Sequence, residues 1–416
     1  MIASVMDRCD LWARQMHPGL SWMTQGRFTE RLPLVDAWAW LDACSDAMGS
    51  EAAPLHQAFG RVLPAPLTFP ADRPERDLAL VDGYAVQAAS TLGASTYNPL
   101  SFTIVPKGMP LTAGCASVCH AGETLPSGAD AVLPVDVGEA VGTTLEVCDA
   151  VALGFGVART GQAAQRDGVA IEAGRRLGIP QIALAASLGV TQLIVRRRPV
   201  VTLVFAGPKP PAIEALCLAI SALVARDGGV AHCARRHPDM ARMLSCVAPA
   251  DLFLVVGRSG WGEDDDAVHV ITAADGRIDH HGLALTPGGS AGLGWLRGTP
   301  LLLLPGDPLT ALVTYELLAG RLLRRLAGRA TDFPFPIQRL VLSRKIVSPV
   351  GVSEFVPVVC HGLSVEPLAL APADGLAGYA RADGFLVVPA GLEGYAPGAL
   401  VDVVTMLGHI SRQEEP

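Results

Sequence analysis

No uninterrupted apolar run in this 416-residue chain approaches the roughly 20 residues needed to span a bilayer. Half of the residues are nevertheless hydrophobic and the mean hydropathy is +0.36, so the apolar side chains serve large cores and interfaces, and a membrane partner is excluded. Asp7, Arg8, Asp10 and Arg14 interrupt the first turns, which removes the apolar core of a secretory signal and makes a cytoplasmic location the expectation. Basic charge is also short: the formal net charge is −8 and the only tight cationic run is Arg196 to Arg198, which argues against nucleic acid as a partner. The nine cysteines are odd in number and scattered, a pattern expected of reduced thiols rather than a disulfide framework. Cys115, Cys119 and His120, and likewise His232, Cys233 and His237, lack the second pair that a zinc site needs. No glycine-rich dinucleotide fingerprint follows the first αβ strand, which leaves little support for a generic nucleotide-binding enzyme.

What is present is organised around residues 299–328. Pro300 to Leu304 is a short apolar run that Pro305-Gly306 ends; Asp307 can cap a helix, Pro308 suits its first position, and Arg321, Arg324 and Arg325 complement its C-terminal dipole. The spacing therefore predicts a buried strand, a tight turn and a helix. The turn presents N–H groups and a positive dipole end, which makes it a candidate anion cradle. Leu309, Leu312, Val313, Tyr315, Leu317, Leu318, Leu322 and Leu323 cover most sides of the helix, so it is either deeply buried or shared with a second subunit.

A length prior of about 150 residues per domain suggests about three domains. Residues 1–30 lack clear periodicity and read as an extension. An amphipathic helix is expected over residues 34–48 and a shorter one over 55–62, before Pro64, Pro66, Pro70 and Pro74 impose an extended linker. In residues 78–88 Asp82-Gly83 interrupts an apolar strand, which suggests a bulge that aims Asp82 into a cleft; an ordinary turn aspartate is the plainer alternative. Short β-like runs between glycines follow to Val137, and Ile179 to Gly189 is helical with Pro180 at its start. Strands over 199–206, 229–233, 251–256 and 301–304 alternate with helices over 211–226 and 238–247, the pattern of a parallel sheet covered on both faces. Ligands of such sheets sit at the carboxyl ends of the strands, here Gly207 to Pro211, Gly257 to Asp266 and Pro305 to Pro308. From Phe333 onward helix signals fade into strands over 338–347, 353–359, 385–388 and 400–407, a separate β domain.

Six segments in register carry a family resemblance: Gly60 to Leu63, Asp82 to Val86, Pro126 to Val132, Gly262 to Asp265, Pro305 to Pro308 with Ala311 to Leu317, and Gly384 to Pro389. Together they make the chain resemble the MoeA-type molybdopterin molybdotransferases from about Arg31 to Leu407. The resemblance implies a multi-domain α/β protein: a helical and linker domain (31–76 and 139–180), a β-rich domain (77–138), an αβα sheet domain (181–331) and a small C-terminal β-barrel domain (332–410), after the 1–30 extension. It implies a homodimer whose cleft takes adenylylated molybdopterin, inserts molybdate at the dithiolene with magnesium, and releases AMP. On this resemblance Asp82 and Asp265 are the catalytic carboxylates and, with Glu263, the metal ligands. Gly83, Tyr84, Lys209, Arg258, Gly288, Gly289, Pro305, Gly306, Asp307, Pro308 and Thr310 are the substrate-binding set.

The chain departs from the family pattern mainly at the cleft. Ala206-Gly-Pro-Lys-Pro210 stands in place of Thr-Gly-Asp-Glu, so a carboxylate is lost and a cation gained. Thr286-Pro-Gly-Gly-Ser290 lacks the lysine of Pro-Gly-Lys-Pro, His120-Ala-Gly-Glu123 replaces Met-Thr-Gly-Ala, and Asp307 stands where asparagine is usual. The alternative expectation is thus a relative that binds molybdopterin or the finished cofactor and hands it to a client molybdoenzyme.

Overall fold

A computed structural model describes residues 31–44, 46–206, 210–234, 239–260, 262, 265–369 and 375–406. The 1–30 extension, Lys209 and Glu263 lie outside the described residues. The chain forms two compact units: one gathers residues up to Ala53, Gly60–Val62 and Ile194 onward, the other Pro54–Phe59 and Leu63–Leu193.

The first unit opens with a two-residue strand, β1 (Leu32–Pro33), and the helix α1 (Leu34–Ala43). Leu34, Ala37 and Leu41 are buried at helical spacing, and the apolar face they form carries the helix onto the core.

The second unit is built on a six-stranded mixed sheet. Its strands are β2 (Gly83–Val86), β3 (Leu100–Ile104), β4 (Cys115–Cys119), β5 (Ala131–Pro134), β6 (Gly138–Val141) and β7 (Thr144–Val147), in the order β5-β2-β4-β3-β7-β6. Alternation along the strands separates two cores, Val86, Leu133 and Leu145 on one face and Ala85, Val132 and Cys119 on the other. The expected bulge at Asp82 is instead a break: Leu78–Ala79 pairs with Val157–Ala158, Gly83–Val86 pairs with β4 and β5, and a bend joins the two pieces. One apolar run thus serves two different sheets, and only a change of direction at Asp82-Gly83 allows this.

The rest of the first unit begins with β8 (Val200–Phe205), α2 (Pro210–Asp227), β9 (Val230–Cys233), α3 (Met240–Cys246), β10 (Leu252–Val256) and α4 (Ala267–Ala273). After these come β11 (Gly276–His281), β12 (Leu283–Thr286), β13 (Gly292–Leu296) and β14 (Thr299–Leu304). The sheet order is β9-β8-β10-β14-β13-β11, parallel from β9 to β14 and antiparallel at β13 and β11. Successive residues of β10 and β14 alternate between the two faces. Leu254, Val256, Leu302 and Leu304 join the core that includes Ile220 of α2, whereas Phe253, Val255, Leu301 and Leu303 meet Met243 of α3 and Ile271 of α4. The all-parallel expectation holds for the four strands it named. The antiparallel pair arises because the Arg297-Gly298 turn, with both residues at positive φ, reverses the chain between β13 and β14.

Pro308–Thr314 (α5) opens a continuous helix that passes through a π turn at Tyr315–Ala319 into α6 (Gly320–Leu326). The sequence predicts a regular helix here. The π turn accompanies burial of a polar cluster: Arg226 forks onto Glu316 (2.6 and 2.9 Å) and contacts Asp227, Arg324 donates to Asp227 (3.1 Å), and the Tyr315 hydroxyl donates to Asp227 (3.2 Å). Asp227 is 0% exposed. Burial alone would depress the Arg226 guanidinium, but its bonds to Glu316 and Asp227 outweigh that and raise it; burial pushes the Tyr315 phenol well above its usual range. Arg321 pairs with Asp42, and the Trp38 indole donates to the Leu317 carbonyl (2.8 Å), so α1 is docked on the π turn.

The C-terminal strands β15 (Ile337–Leu342), β16 (Ser353–His361), β17 (Ser364–Pro367), β18 (Gly384–Val388) and β19 (Leu400–Thr405) close into a barrel through the β16 to β18 pairing. Strand β12, which lies between two strands of the αβα sheet in the chain, pairs in parallel with both β1 and β16 and so belongs to the sheet of the barrel.

The expectation of reduced thiols is overturned at one place. Cys217 of α2 and Cys233 of β9 form a disulfide, because helix-on-strand packing brings together residues 16 apart in sequence. Linear spacing cannot reveal that proximity.

Asp227→Ala is expected to cost about 3–5 kcal/mol, since it leaves Arg324 buried without its carboxylate. Urea unfolding of the variant checks this; Arg339→Ala, at an exposed pair with Asp402, should leave the midpoint unmoved.

Candidate functional site

The carboxyl ends of β8, β10 and β14 lie side by side, and two glycines let them approach. Gly257 has φ 100°, and a Cβ there would lie 2.3 Å from the Ala206 carbonyl oxygen; a Cβ on Gly306 would lie 3.1 Å from the Gly257 Cα. The Gly257 N–H donates to Leu304 (2.9 Å) and the Ala206 N–H to Val256 (2.8 Å), so the three strand ends are cross-linked before the loops diverge.

The loop after β10 carries Arg258, Ser259 and Asp265. Arg258 adopts φ 55° and pairs with Asp266 (2.9 Å). Asp265, half-buried, accepts the Gly262 N–H at 2.7 Å through Oδ2. Ser259 links this loop to the next: its hydroxyl meets that of Ser290 (3.1 Å), and its carbonyl meets His281 Nε2 (3.0 Å). Burial lowers the His281 imidazole below its usual value, against the opposing pull of the Ser259 carbonyl and the Asp265 charge.

After β14, Pro305 is buried while Gly306 and Asp307 are exposed. Asp307 Oδ2 caps the helix by accepting both the Thr310 N–H (2.9 Å) and the Thr310 hydroxyl (2.7 Å). The turn expected to cradle an anion thus supplies its own, and Thr310 directs both of its donors to Asp307. Gly288 and Gly289 sit in the loop between β12 and β13, with Gly288 at φ 124° and its would-be Cβ 2.9 Å from the Thr314 hydroxyl of α5. Gly257 to Asp266, Pro287 to Ser290 and Pro305 to Thr310 therefore belong to one cluster of loops, and Ser259, Ser290 and His281 are members that sequence reasoning missed. Their only signal was position beside the glycine turns.

Asp82, Gly83 and Tyr84 belong to the other unit. Asp82 is exposed; its Oδ1 accepts the Ala121 N–H (2.9 Å) and stands 3.6 Å from His120 Nδ1. Gly83 is buried between Pro134 and Cys119, and Tyr84 packs on the sheet core. Lys107 holds both oxygens of Glu123 at 2.8 Å, and these bonds, more than the His120 N–H, keep the Glu123 carboxyl below its usual range.

An αβα sheet with its loop cluster at the strand ends, a β-rich unit carrying an exposed Asp-Gly turn and a C-terminal barrel together define a molybdopterin-biosynthesis type of architecture. Residues 32–189 match the MoeA N-terminal region (domain I and II) and residues 339–406 the MoeA C-terminal region (domain IV). The chain belongs to the MoeA family. It is 27% identical over 380 residues to molybdopterin molybdenumtransferase 2 of Mycobacterium tuberculosis, covering 84% of this chain and 93% of that protein. It is 25% identical over 374 residues to the putative molybdopterin biosynthesis protein MJ0666 of Methanocaldococcus jannaschii, covering 83% and 90%. The crystal structure of a molybdopterin biosynthesis MoeA protein from Pyrococcus horikosii superposes with a TM-score of 0.77 at 27% identity, over 91% of this chain and 100% of that one. Among the described residues no helix is long and apolar enough to cross a membrane.

A histidine held below its ordinary value of about 6.5 stabilises the fold above that pH and loses the contribution as pH falls through it. The thermal midpoint should therefore drop more between about pH 7.5 and about pH 5.5 in the native protein than in His281→Gln. Differential scanning calorimetry of the two proteins measures the difference, and parallel curves would refute the burial argument.

Proposed function

We propose that this protein acts in molybdenum cofactor biosynthesis as a transferase that inserts molybdate into adenylylated molybdopterin with release of AMP. The observation that carries this reading is the loop cluster at the carboxyl ends of β8, β10 and β14 in a chain of MoeA architecture. Such strand ends are where parallel sheets hold their ligands. The alternative carrier role is less favoured, because relatives named molybdopterin molybdenumtransferase align over most of their length.

Within this reading the chain's own groups divide the work. Backbone N–H groups and hydroxyls of the loops around Ser259 and Ser290 orient the pterin nucleotide, and donors arranged before the reaction stabilise charge as it develops on the phosphate and oxyanion. We assign Asp82 and, separately, Asp265 as carboxylates for a divalent cation such as magnesium, which would neutralise oxyanion charge. Carboxylate oxygens suit a hard ion, and among the described residues Asp82 Oδ2 and Asp265 Oδ1 each have no hydrogen-bond partner, which leaves each carboxylate an oxygen to coordinate with. Lys209 and Glu263 complete the assignment as a phosphate partner and a further metal carboxylate. We assign the working form as a homodimer that passes its product to a client molybdoenzyme.

Purified protein given adenylylated molybdopterin, molybdate and magnesium should release AMP. Absence of release above a blank, with the pterin still bound, would overturn the enzyme reading in favour of the carrier. Asp82→Asn should abolish the release and leave the melting temperature unchanged; retained turnover would remove Asp82 from the metal-binding role.

A further inference from the structure

The Pro287 to Ser290 loop has no cation of its own, yet a guanidinium lies where a side chain from position 289 would begin. A Cβ built on Gly289 would meet nothing closer than 3.4 Å, and one of the atoms it would touch is Arg31 Nη1, at 3.8 Å. We propose that Arg31 binds substrate in this site, its guanidinium supplying the positive charge that holds a tetrahedral oxyanion against the Pro287 to Ser290 loop. The assignment rests on the transferase reading for the identity of the oxyanion, but not for the existence of the site.

The backbone explains why Arg31 is there. The Leu32 N–H donates to Gly282 (3.0 Å), and β1 runs parallel to β12 with Leu32 opposite Leu283. The loop folds back onto the same residues, since the Leu283 N–H donates to Gly289 (3.1 Å) and the Gly282 N–H to Ala291 (2.9 Å). Residue 31 is thus held beside residue 289 by main-chain bonds, and the docked helix α1 fixes the strand from its other end. Charge accounting points the same way. Arg258 is paired with Asp266 and Thr310 gives both donors to Asp307, whereas no carboxylate among the described residues pairs with Arg31, which is exposed. The planar fork of an arginine matches two oxygens of a tetrahedral oxyanion.

The oxyanion is either molybdate or the phosphate of the nucleotide, and isothermal titration of the full chain with molybdate alone and with AMP alone separates them. Arg31→Ala should weaken one of the two by on the order of tenfold without lowering the melting temperature, and the anion affected names the source. Position 289 has room for a side chain at a φ that L-residues adopt, so Gly289→Lys in the Arg31→Ala background should restore most of the lost affinity. Affinities within about twofold of native for both anions, or a loss that the second substitution does not recover, would overturn the assignment. Native protein that binds the anion but releases no AMP refutes the transferase reading and leaves Arg31 in place; native protein that binds neither anion yet releases AMP refutes the Arg31 assignment and leaves the transferase reading in place.

Discussion

The first unit depends on one buried electrostatic knot, the cluster of Arg226, Asp227, Glu316 and Arg324 with the Tyr315 hydroxyl. Ions inside a protein repay their desolvation only when geometry is good and the remaining hydrogen-bonding capacity is met. Here the fork from Arg226 to Glu316, the shared Asp227 and the bond from Arg324 to the Thr331 carbonyl (3.1 Å) meet most of it, while Arg324 Nε has no partner among the described residues. The members come from the end of α2, from the π turn and from α6, so the knot fixes the helix after β14 against the helix after β8. Those two helices follow β8 and β14, the strands that flank β10 in the sheet. The knot thereby sets the register of one helix against the other, which an apolar substitute of equal volume would not specify.

Most of the architecture of the αβα sheet could be read from the chain because its strands are buried on both faces and its helices carry clear start signals. Val200–Phe205 and Leu252–Val256 have no other reasonable home, and Asp307-Pro308 marks a helix start with little ambiguity. The π turn was not legible. Its residues, Tyr315 to Ala319, suit an ordinary helix, and only the partners of Glu316, some 90 positions earlier, give it a reason. The disulfide was hidden for a related cause: the helix-on-strand packing that pairs Cys217 with Cys233 is not encoded in local periodicity.

The candidate site was legible as a set of turns and not as a set of contacts. The glycines at 257, 288 and 306 and the carboxylates at 82 and 265 stand out because their residue types restrict what the backbone or the charge can do. Whether a named donor is available to a ligand depends on its neighbours. Thr310 qualifies by type, yet its hydrogen bonds go to Asp307. Arg31 attracts no notice in the sequence, because its place beside Gly289 comes from a two-residue strand whose pairing with β12 has no local signature.

The ladder through β12 has a mechanical meaning. Leu285 and Thr286 are bonded to Ser353 and Glu354 of the barrel, and the next residues are the Pro287 to Ser290 loop. The barrel is therefore a lever with its fulcrum at Thr286. Any load on its outer surface is delivered to that loop as a torque through hydrogen bonds that resist stretching, with no flexible linker in between to absorb it.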